Sequence, residues 1–348
     1  SQYNYTRASN FCFSHIKKYH FYDYINITYL LLDYTMNRIM KIIKYKFFIA
    51  TFFCGIISAQ NNDAIIGKWD INVKMDKRIS PSWLEVKLSG SKTLVGYFVE
   101  YNGSARPISE VHFNNGIIDF SIPPQWNGET DLHFSAKVKE GKLIGTILGS
   151  NAKAYSFEGK RAPKLIRSNP VKFGEAISIF NKTNLNGWQP EYPNRKNQWL
   201  VDNGILVNPK SGINLLTTDT YEDFQLHIEA RIPKGSNSGI YLRGRYEVQV
   251  EDSYGKDPSN ILFGAVYGFL TPNEMAANPA GEWQVFDITL IGRRVTIIAN
   301  GKTIINDQII PGITGGATDS NEADKGPLML QGDHGKVEYR NIMIRKGE

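Results

Sequence analysis

The sequence predicts an all-β protein of two bodies: a small antiparallel barrel or sandwich, then a larger two-sheet jelly-roll sandwich. Three observations predict it. Short runs of alternating apolar and polar residues recur from Ile65 almost to the end of the chain, the period of half-buried strands. The breaks between them carry hairpin chemistry, as at Asn114-Asn115-Gly116, Glu140-Gly141-Lys142 and Asn300-Gly301. Tyr and Phe number 18 each and Gly 31, aromatics suiting pleated surfaces and glycine suiting turns. With 348 residues, 41% of them apolar, the chain can bury two cores, and it is too polar for a membrane protein.

In chain order, residues 1–39 come first, rich in Tyr, Asn and Ile and without clear periodicity. Met40 then opens "MKIIKYKFFIATFFCGIISAQ". Lys41, Lys44 and Lys46 form a basic start, residues 47–57 an apolar run, and Ser58 and Ala59 a small-residue junction before Gln60. This is the layout of a secretory signal peptide. The run is well short of the roughly 20 apolar residues of a membrane span, so no transmembrane segment is expected. Residues 40–59 are read as the leader and residues 1–39 as an upstream, mis-translated extension, with translation starting at Met40 or Met36. The protein is then exported, periplasmic or extracellular. Phe52 and Phe53 are bulky for a lipid-attachment context at Cys54. Cys12 and Cys54 both precede the expected cut, so the mature protein relies on core packing rather than disulfides.

The formal charge of +6 is concentrated in this region. Residues 1–59 hold seven Lys/Arg and two acids, which leaves the rest of the chain near neutral. A near-neutral body gives no electrostatic reason to expect nucleic acid.

Residues 61–161 carry about eight short alternating segments, among them "GKWDINVKM", "TLVGYFVEY" and "YSFEGKRA", and none with useful helical periodicity. That count in about 100 residues suits a small barrel or sandwich. The opening Gly67-Lys68-Trp69 and the meander are similar to lipocalin-like barrels. Residues 162–175, with Pro163 and Pro170, read as a linker. Residues 176–347 carry longer alternating segments separated by long loops, the pattern of a jelly roll.

Within the second body, "YEVQVED" (246–252) places Val248 and Val250 on a core face and Glu247, Gln249 and Glu251 on the other. Residues four apart on a strand are separated by about 13 Å. Glu247 and Glu251 are therefore too far apart for a retaining glycosidase pair, which needs about 5–5.5 Å between carboxyls. Glu247, Gln249 and Asp252 share a face only if a bulge near Glu251 inserts a residue. That set resembles the Glu-x-Asp-x-x-Glu strand of laminarinase-type hydrolases, with Gln for the central Asp and Asp for the last Glu.

"LMLQGDHGKVEYRNI" places Gln331, Asp333 and His334 between two strands, flanked by Gly332 and Gly335, which permit close approach of backbone or ligand. His227 and Glu229 share the polar face of "FQLHIEARI", a face that is either solvated or lines a groove. His112 and His133 read as ordinary strand residues. HExxH, CxxC, P-loop and GxSxG motifs do not occur, which removes the usual support for zinc-protease, nucleotide and serine-hydrolase readings.

Taken in order, "NSGIYLRGRYEVQVEDSYG" (237–255), "GAVYGF" (264–269), "NPAGEWQ" (278–284), "NGK" (300–302) and "GPLMLQGDHGKVEYRNIMI" (326–344) resemble the 3-keto-disaccharide hydrolase family. The resemblance covers the C-terminal half only. It implies a concanavalin A-like jelly roll and a hydrolase or lyase acting on oligosaccharides or glycosides oxidised at C3. A ketone at C3 acidifies the C2 proton; a base removes it, the C1 substituent leaves by β-elimination, and water adds back. In this scheme Glu247 or His334 is the base, with Arg243 and Gln249 near the developing oxyanion. Asp252 orients His334 or helps hold a divalent cation, which would act as Lewis acid. Tyr267 and Gln331 contact sugar hydroxyls, and Glu229 is a further substrate-binding candidate. A partner sugar 3-dehydrogenase would have to make the substrate. Two other readings stay open: a non-catalytic, lectin-like carbohydrate-binding protein, and a conventional two-carboxylate glycosidase.

Overall fold

The computed structural model describes residues 32–43, 62–126, 128, 130–149 and 151–348. Residues 62–348 form one compact unit and residues 1–61 another. In the latter, residues 32–43 are helical. The apolar run 47–57 and the junction at 58–60 lie outside the described residues. Among the described residues no helix is long and apolar enough to cross a membrane.

The alternating segments of the first body close into a barrel. Its strands are β1 (Gly67–Met75), β2 (Arg78–Ser89), β3 (Thr93–Val99), β4 (Arg106–Asn114), β5 (Ile117–Ile122), β6 (Leu132–Lys139), β7 (Lys142–Leu148) and β8 (Ala154–Arg161). They pair in sequence order, and β8 returns to β1 with Arg161 opposite Trp69. Closure leaves no unpaired edge. Alternation supplies the interior, as in β5, where Ile118, Phe120 and Ile122 are buried. Phe120 stacks on Phe134 at 4.7 Å, and Phe134 lies 4.6 Å from Phe157, rings whose apolar area and geometry fill a small barrel.

β2 departs from simple alternation: Ser80 to Leu84 are buried without interruption. Leu84 belongs to the barrel core, whereas Trp83 belongs to the core of the second body. The reason is local. Gly312 has no side chain, and a Cβ there would stand 2.1 Å from the Trp83 indole nitrogen. Phe269 meets the Trp83 ring edge-on at 5.2 Å. The end of β3 and the loop after it dock in the same way: Val99 and Ala105 join the same core, and the Gly316 amide donates to the Tyr101 carbonyl at 3.1 Å.

The second body is a two-sheet sandwich. Its strands are β9 (Ile177–Ser178), β10 (Trp188–Pro190), β11 (Leu200–Asp202), β12 (Ile205–Asn208), β13 (Leu215–Thr217), β14 (Phe224–Arg231), β15 (Asn237–Leu242), β16 (Tyr246–Glu251), β17 (Gln284–Ile291), β18 (Arg294–Ala299), β19 (Lys302–Ile309), β20 (Met329–Leu330) and β21 (Val337–Lys346). One sheet runs β10-β13-β20-β15-β16 and the other β11-β12-β21-β14-β17-β18-β19, with β9 beside β21. The late strands β20 and β21 insert between early ones, so the 331–336 loop is brought onto the sheet that carries β15 and β16.

Beneath that sheet, Ile240, Leu242, Tyr246, Val248 and Val250 pack with Phe224, Leu226, Ile228, Phe286 and Ile288 of the other. Where the bodies meet, a polar cluster is buried. Asp70 of β1 faces Glu322, which is paired with Arg293 and accepts a 2.8 Å hydrogen bond from Tyr246. Burial, with the Glu322 carboxyl beside it, holds the Asp70 carboxyl well above the usual carboxylate range.

Candidate active site

β16 has an alternating sequence yet is buried on both faces. Val248 and Val250 face the sandwich core, while Glu247 and Gln249 are only 4% and 3% exposed. The neighbours against which they rest, Tyr241, Gly239, Thr314 and Ile261, all belong to the sandwich. A cavity of about 160 Å³ lies over the strand, lined by Tyr241, Glu247, Gln249, Asn237, Tyr267, Gln331, Asp333 and His334 of the sandwich and by Asn102, Gly103 and Trp126 of the barrel.

The position of Glu247 follows from the hairpin. β15 and β16 pair without a register shift, so Tyr241 stands opposite Glu247 and Gly239 opposite Gln249. The Tyr241 hydroxyl lies 2.9 Å from Glu247 Oε2 and 2.9 Å from the Gly315 carbonyl oxygen. A phenol has one hydrogen and can accept another. An ionised Glu247 takes that hydrogen; a protonated Glu247 donates to Tyr241, which then donates to Gly315. Both charge states are thus accommodated. Burial pushes the Glu247 carboxyl up to about 8, against opposing contributions from the Tyr241 hydrogen bond and the His334 charge.

His334 sits on a loop fixed at both ends. The Asn208 amide donates to the carbonyls of Gly332 and Gly335 at 3.0 and 2.6 Å, and Ser211 donates to the Asp333 carbonyl. Gly332 passes so close to the neighbouring segment that a Cβ would stand 2.3 Å from the Ile213 carbonyl oxygen. His334 Nδ1 lies 2.6 Å from Asp333 Oδ1, and this bond raises the imidazole above its ordinary range. With Nδ1 engaged, Nε2 is the nitrogen left for other chemistry.

Three amide oxygens around the cavity, Asn237 Oδ1, Gln249 Oε1 and Gln331 Oε1, are buried and have no hydrogen-bond partner among the described residues. Leaving such a group unpaired costs about 1–3 kcal/mol. Donors of a ligand, such as sugar hydroxyls, would satisfy them. Gln249 is fixed through its other end, Nε2 donating to the Ile261 carbonyl at 3.2 Å. Tyr267 is half-buried and its amide donates to the Glu247 carbonyl at 3.0 Å.

Three residues singled out from sequence lie away from this cavity. Arg243 is fully buried at the β15–β16 turn with φ of 52°, donating to Tyr246 at 2.9 Å and to the Gly292 carbonyl at 3.1 Å. It belongs to the polar cluster with Glu322, because a turn residue points where the turn directs it and not where the strand alternation suggests. Glu229 lies in the other sheet, held by Arg340 and Asn341 at 2.7 Å each. Asp252 caps the turn before β15, accepting from the Gly235 amide at 2.9 Å. No bulge brings it onto the Glu247 face, and the residue that orients His334 is Asp333.

Tyr241 and Asn237 were not singled out from sequence, although hairpin register counted back from Glu247 predicts Tyr241 as its cross-strand partner. Asn102 and Trp126 had no such signal, because they reach the cavity only through docking of the barrel. Among the described residues no group of three or more His, Cys, Asp or Glu is gathered closely enough to hold a metal ion. Asp252, which the sequence offered as an alternative cation ligand, does not line the cavity with Glu247 and His334.

Residues 175–345 match the family of the 3-keto-alpha-glucoside-1,2-lyase-like domain. A 3-keto-disaccharide hydrolase of Bacteroides thetaiotaomicron is 27% identical over 121 residues, which are 32% of this chain and 40% of that protein. The chain thus spans well under half the length of this relative. A protein from Parabacteroides distasonis assigned as a glycosyl hydrolase is 28% identical, with a TM-score of 0.43, over 52% of this chain and 92% of its own. SCLam, an endo-beta-1,3(4)-glucanase, is 12% identical, with a TM-score of 0.34, over 53% of this chain and 93% of its own. Residues 175–345, the C-terminal half of the chain, thus match a 3-keto-alpha-glucoside-1,2-lyase-like domain, and the curated relative similar to this chain is a 3-keto-disaccharide hydrolase.

Proposed function

We propose that this protein cleaves 3-keto-glycosides by proton abstraction at C2 and β-elimination at C1, with Glu247 as the base. The carrying observation is a buried carboxyl on the cavity wall, held by the Tyr241 hydroxyl and facing the same cavity as the His334–Asp333 pair; burial raises it to about 8, where a general base is effective. The ionised Glu247 takes the C2 proton, the C2–H electrons form the C1–C2 double bond after enolisation toward the C3 oxygen, and the C1–O bond breaks. His334, kept protonated by Asp333, gives its Nε2 proton to the leaving oxygen. Water then adds to C1 of the enone and gives its proton to His334 Nε2, while the proton on Glu247 returns to C2, so both residues regain their starting states and the sum is hydrolysis. Tyr267 and the amides of Gln249 and Gln331 serve as contacts for sugar hydroxyls and for charge on the C3 oxygen.

This scheme needs one base and one acid rather than two carboxylates bracketing a glycosidic bond, and the carboxyls on the cavity are Glu247 and Asp333, the latter engaged by His334. The 3-keto sugar must be supplied by an oxidoreductase acting at C3, the partner of this reading. Export belongs to the same reading, with residues 40–59 as the leader; N-terminal sequencing of the secreted protein tests it. So does a lipocalin-like kinship of the barrel, supported by its eight-strand meander order.

The test is release of the leaving group from a 3-keto-glucoside and from its unoxidised parent. Release from the keto sugar alone is the expected result. Release from the parent at a comparable rate would instead indicate an ordinary glycosidase, and binding without release a lectin.

A further inference from the structure

A second cavity, of about 240 Å³, adjoins the first. The two share Asn102, Gly316 and Asp333 as lining, so they are neighbouring parts of one cleft. The second is built from both bodies. Arg78 at the start of β2, with Tyr101 and Asn102 after β3, forms one wall, and Glu191, Tyr192 and Arg195 of the sandwich form the other. Arg78 bridges the walls: its Nη1 donates to the Tyr192 hydroxyl at 3.3 Å, and its guanidinium lies 5.9 Å from the Tyr101 ring centroid. Arg195 lies 5.2 Å from the Tyr192 ring centroid. Neither guanidinium has a carboxylate ion-pair partner among the described residues.

We infer that this second cavity is the subsite for the leaving group, that its occupant is a hydroxyl-rich sugar unit, and that the barrel supplies half of it. This rests on the proposed cleavage of 3-keto-glycosides. The adjacency argues for the role. Asp333 borders both cavities and carries His334, the proposed proton donor to the leaving oxygen, so the scissile bond spans the boundary between them.

The lining argues for the class of occupant. Two guanidiniums and two carboxylates, Glu191 and Asp333, face one space. An anion would meet the two carboxylates, and an apolar aglycone would strip polar groups of water without replacing their hydrogen bonds. Sugar hydroxyls both donate and accept, and their C–H faces pack on aromatic rings such as those of Tyr101 and Tyr192.

The barrel wall is rigidly placed. A Cβ at Gly315 would stand 2.2 Å from the Gly103 carbonyl oxygen, and one at Gly268 2.5 Å from the Ala105 amide nitrogen, so backbone meets backbone twice in the three residues that follow Asn102. A loop set this closely presents Asn102 in a fixed position, as a binding site requires, and the Tyr192 hydroxyl orients Arg78 from the opposite wall.

The experiment compares a 3-keto-disaccharide with methyl 3-keto-glucoside, which lacks the second sugar, on the full chain and on its Arg78→Ala and Arg195→Ala variants. Binding of the unoxidised disaccharide is measured in parallel by calorimetry. Loss of a charge-assisted hydrogen bond corresponds to roughly a tenfold change. The expected result is that each variant raises KM for the disaccharide about tenfold more than for the methyl glycoside, with kcat little changed, and weakens disaccharide binding by a similar factor. Equal effects on both substrates, or disaccharide binding that is indifferent to both variants, would overturn the subsite. If neither keto sugar is cleaved, the catalytic reading fails while the calorimetry still decides the subsite. Thermal melts of both variants guard against misfolding, and Arg78→Lys, which keeps charge but loses the planar fork, should recover only part of the affinity.

Discussion

Glu247 fills the space that a side chain at Gly239 would occupy: a Cβ on Gly239 would stand 2.3 Å from Glu247 Oε1. The two residues lie on neighbouring strands of one hairpin, and the absence of a side chain on one lets the carboxyl of the other lie flat in the sheet, within reach of Tyr241. Gly239→Ala should therefore move the carboxyl while leaving the strand pairing in place. An ångström-scale misplacement of a catalytic group costs about 10²-fold in rate. The expected outcome is a fall of that order in kcat, read with a 3-keto-glucoside, and a far smaller change in melting temperature.

Glu247→Gln keeps shape and removes the proposed base. Turnover should fall roughly 10²- to 10⁴-fold, the usual contribution of general base catalysis. Stability should not fall with it. The amide carries no charge to desolvate, so the melting temperature above pH 8 should hold or rise. Loss of turnover together with a collapse of the fold would count against the assignment.

The raised affinity of Glu247 for its proton has a definite sign in stability. Between about 4.5 and about 8 the native state keeps a proton that the unfolded chain has released. Over that window this group's contribution to stability declines as pH rises, and it is fully present only below the window. Urea midpoints taken from pH 5 to pH 9 should show a downward trend that Glu247→Gln reduces.

Activity follows a different course. It falls on the acid side as Glu247 takes up its proton and on the alkaline side as His334 gives its proton up, producing a bell. Asp333→Asn removes the hydrogen bond that raises His334. The optimum should shift to lower pH and its height should drop, measured as kcat/KM from pH 5.5 to pH 9.5. An unmoved optimum would show that His334 is not the acid.

Trp83 tests the joint between the bodies. It is fully buried in the sandwich core although it belongs to the barrel. Trp83→Ala should cost about 3–5 kcal/mol, as large-to-small changes in cores do. Because the same joint places Asn102 and Tyr101, KM should rise as well. Chemical denaturation and steady-state kinetics on one preparation check both.

The strand alternation made half of this site legible. In "YEVQVE" it assigned Val248 and Val250 to the core and Glu247 and Gln249 to the opposite face, where they are found. The glycines around His334 also marked a close backbone approach, found at Gly332. Other positions depend on three-dimensional partners that a local pattern does not contain. Glu229 looked available because Arg340, its partner, is 111 residues away in sequence. Arg243 and Asp252 lie at the two ends of strand segments, where turn geometry overrides the period of two. The burial of the polar face was illegible for the same reason: alternation separates two faces and does not say what covers the second.

The Trp83 contact also bears on how the chain can be divided. The family-matching segment begins at residue 175, yet the hollow beside Gly312 and Phe269 is filled by a side chain from about ninety positions earlier. Cutting the gene at that boundary would leave an excavated, water-exposed indole socket and a cleft with one bank. The half of the chain that matches a known domain therefore borrows part of its core from the other half.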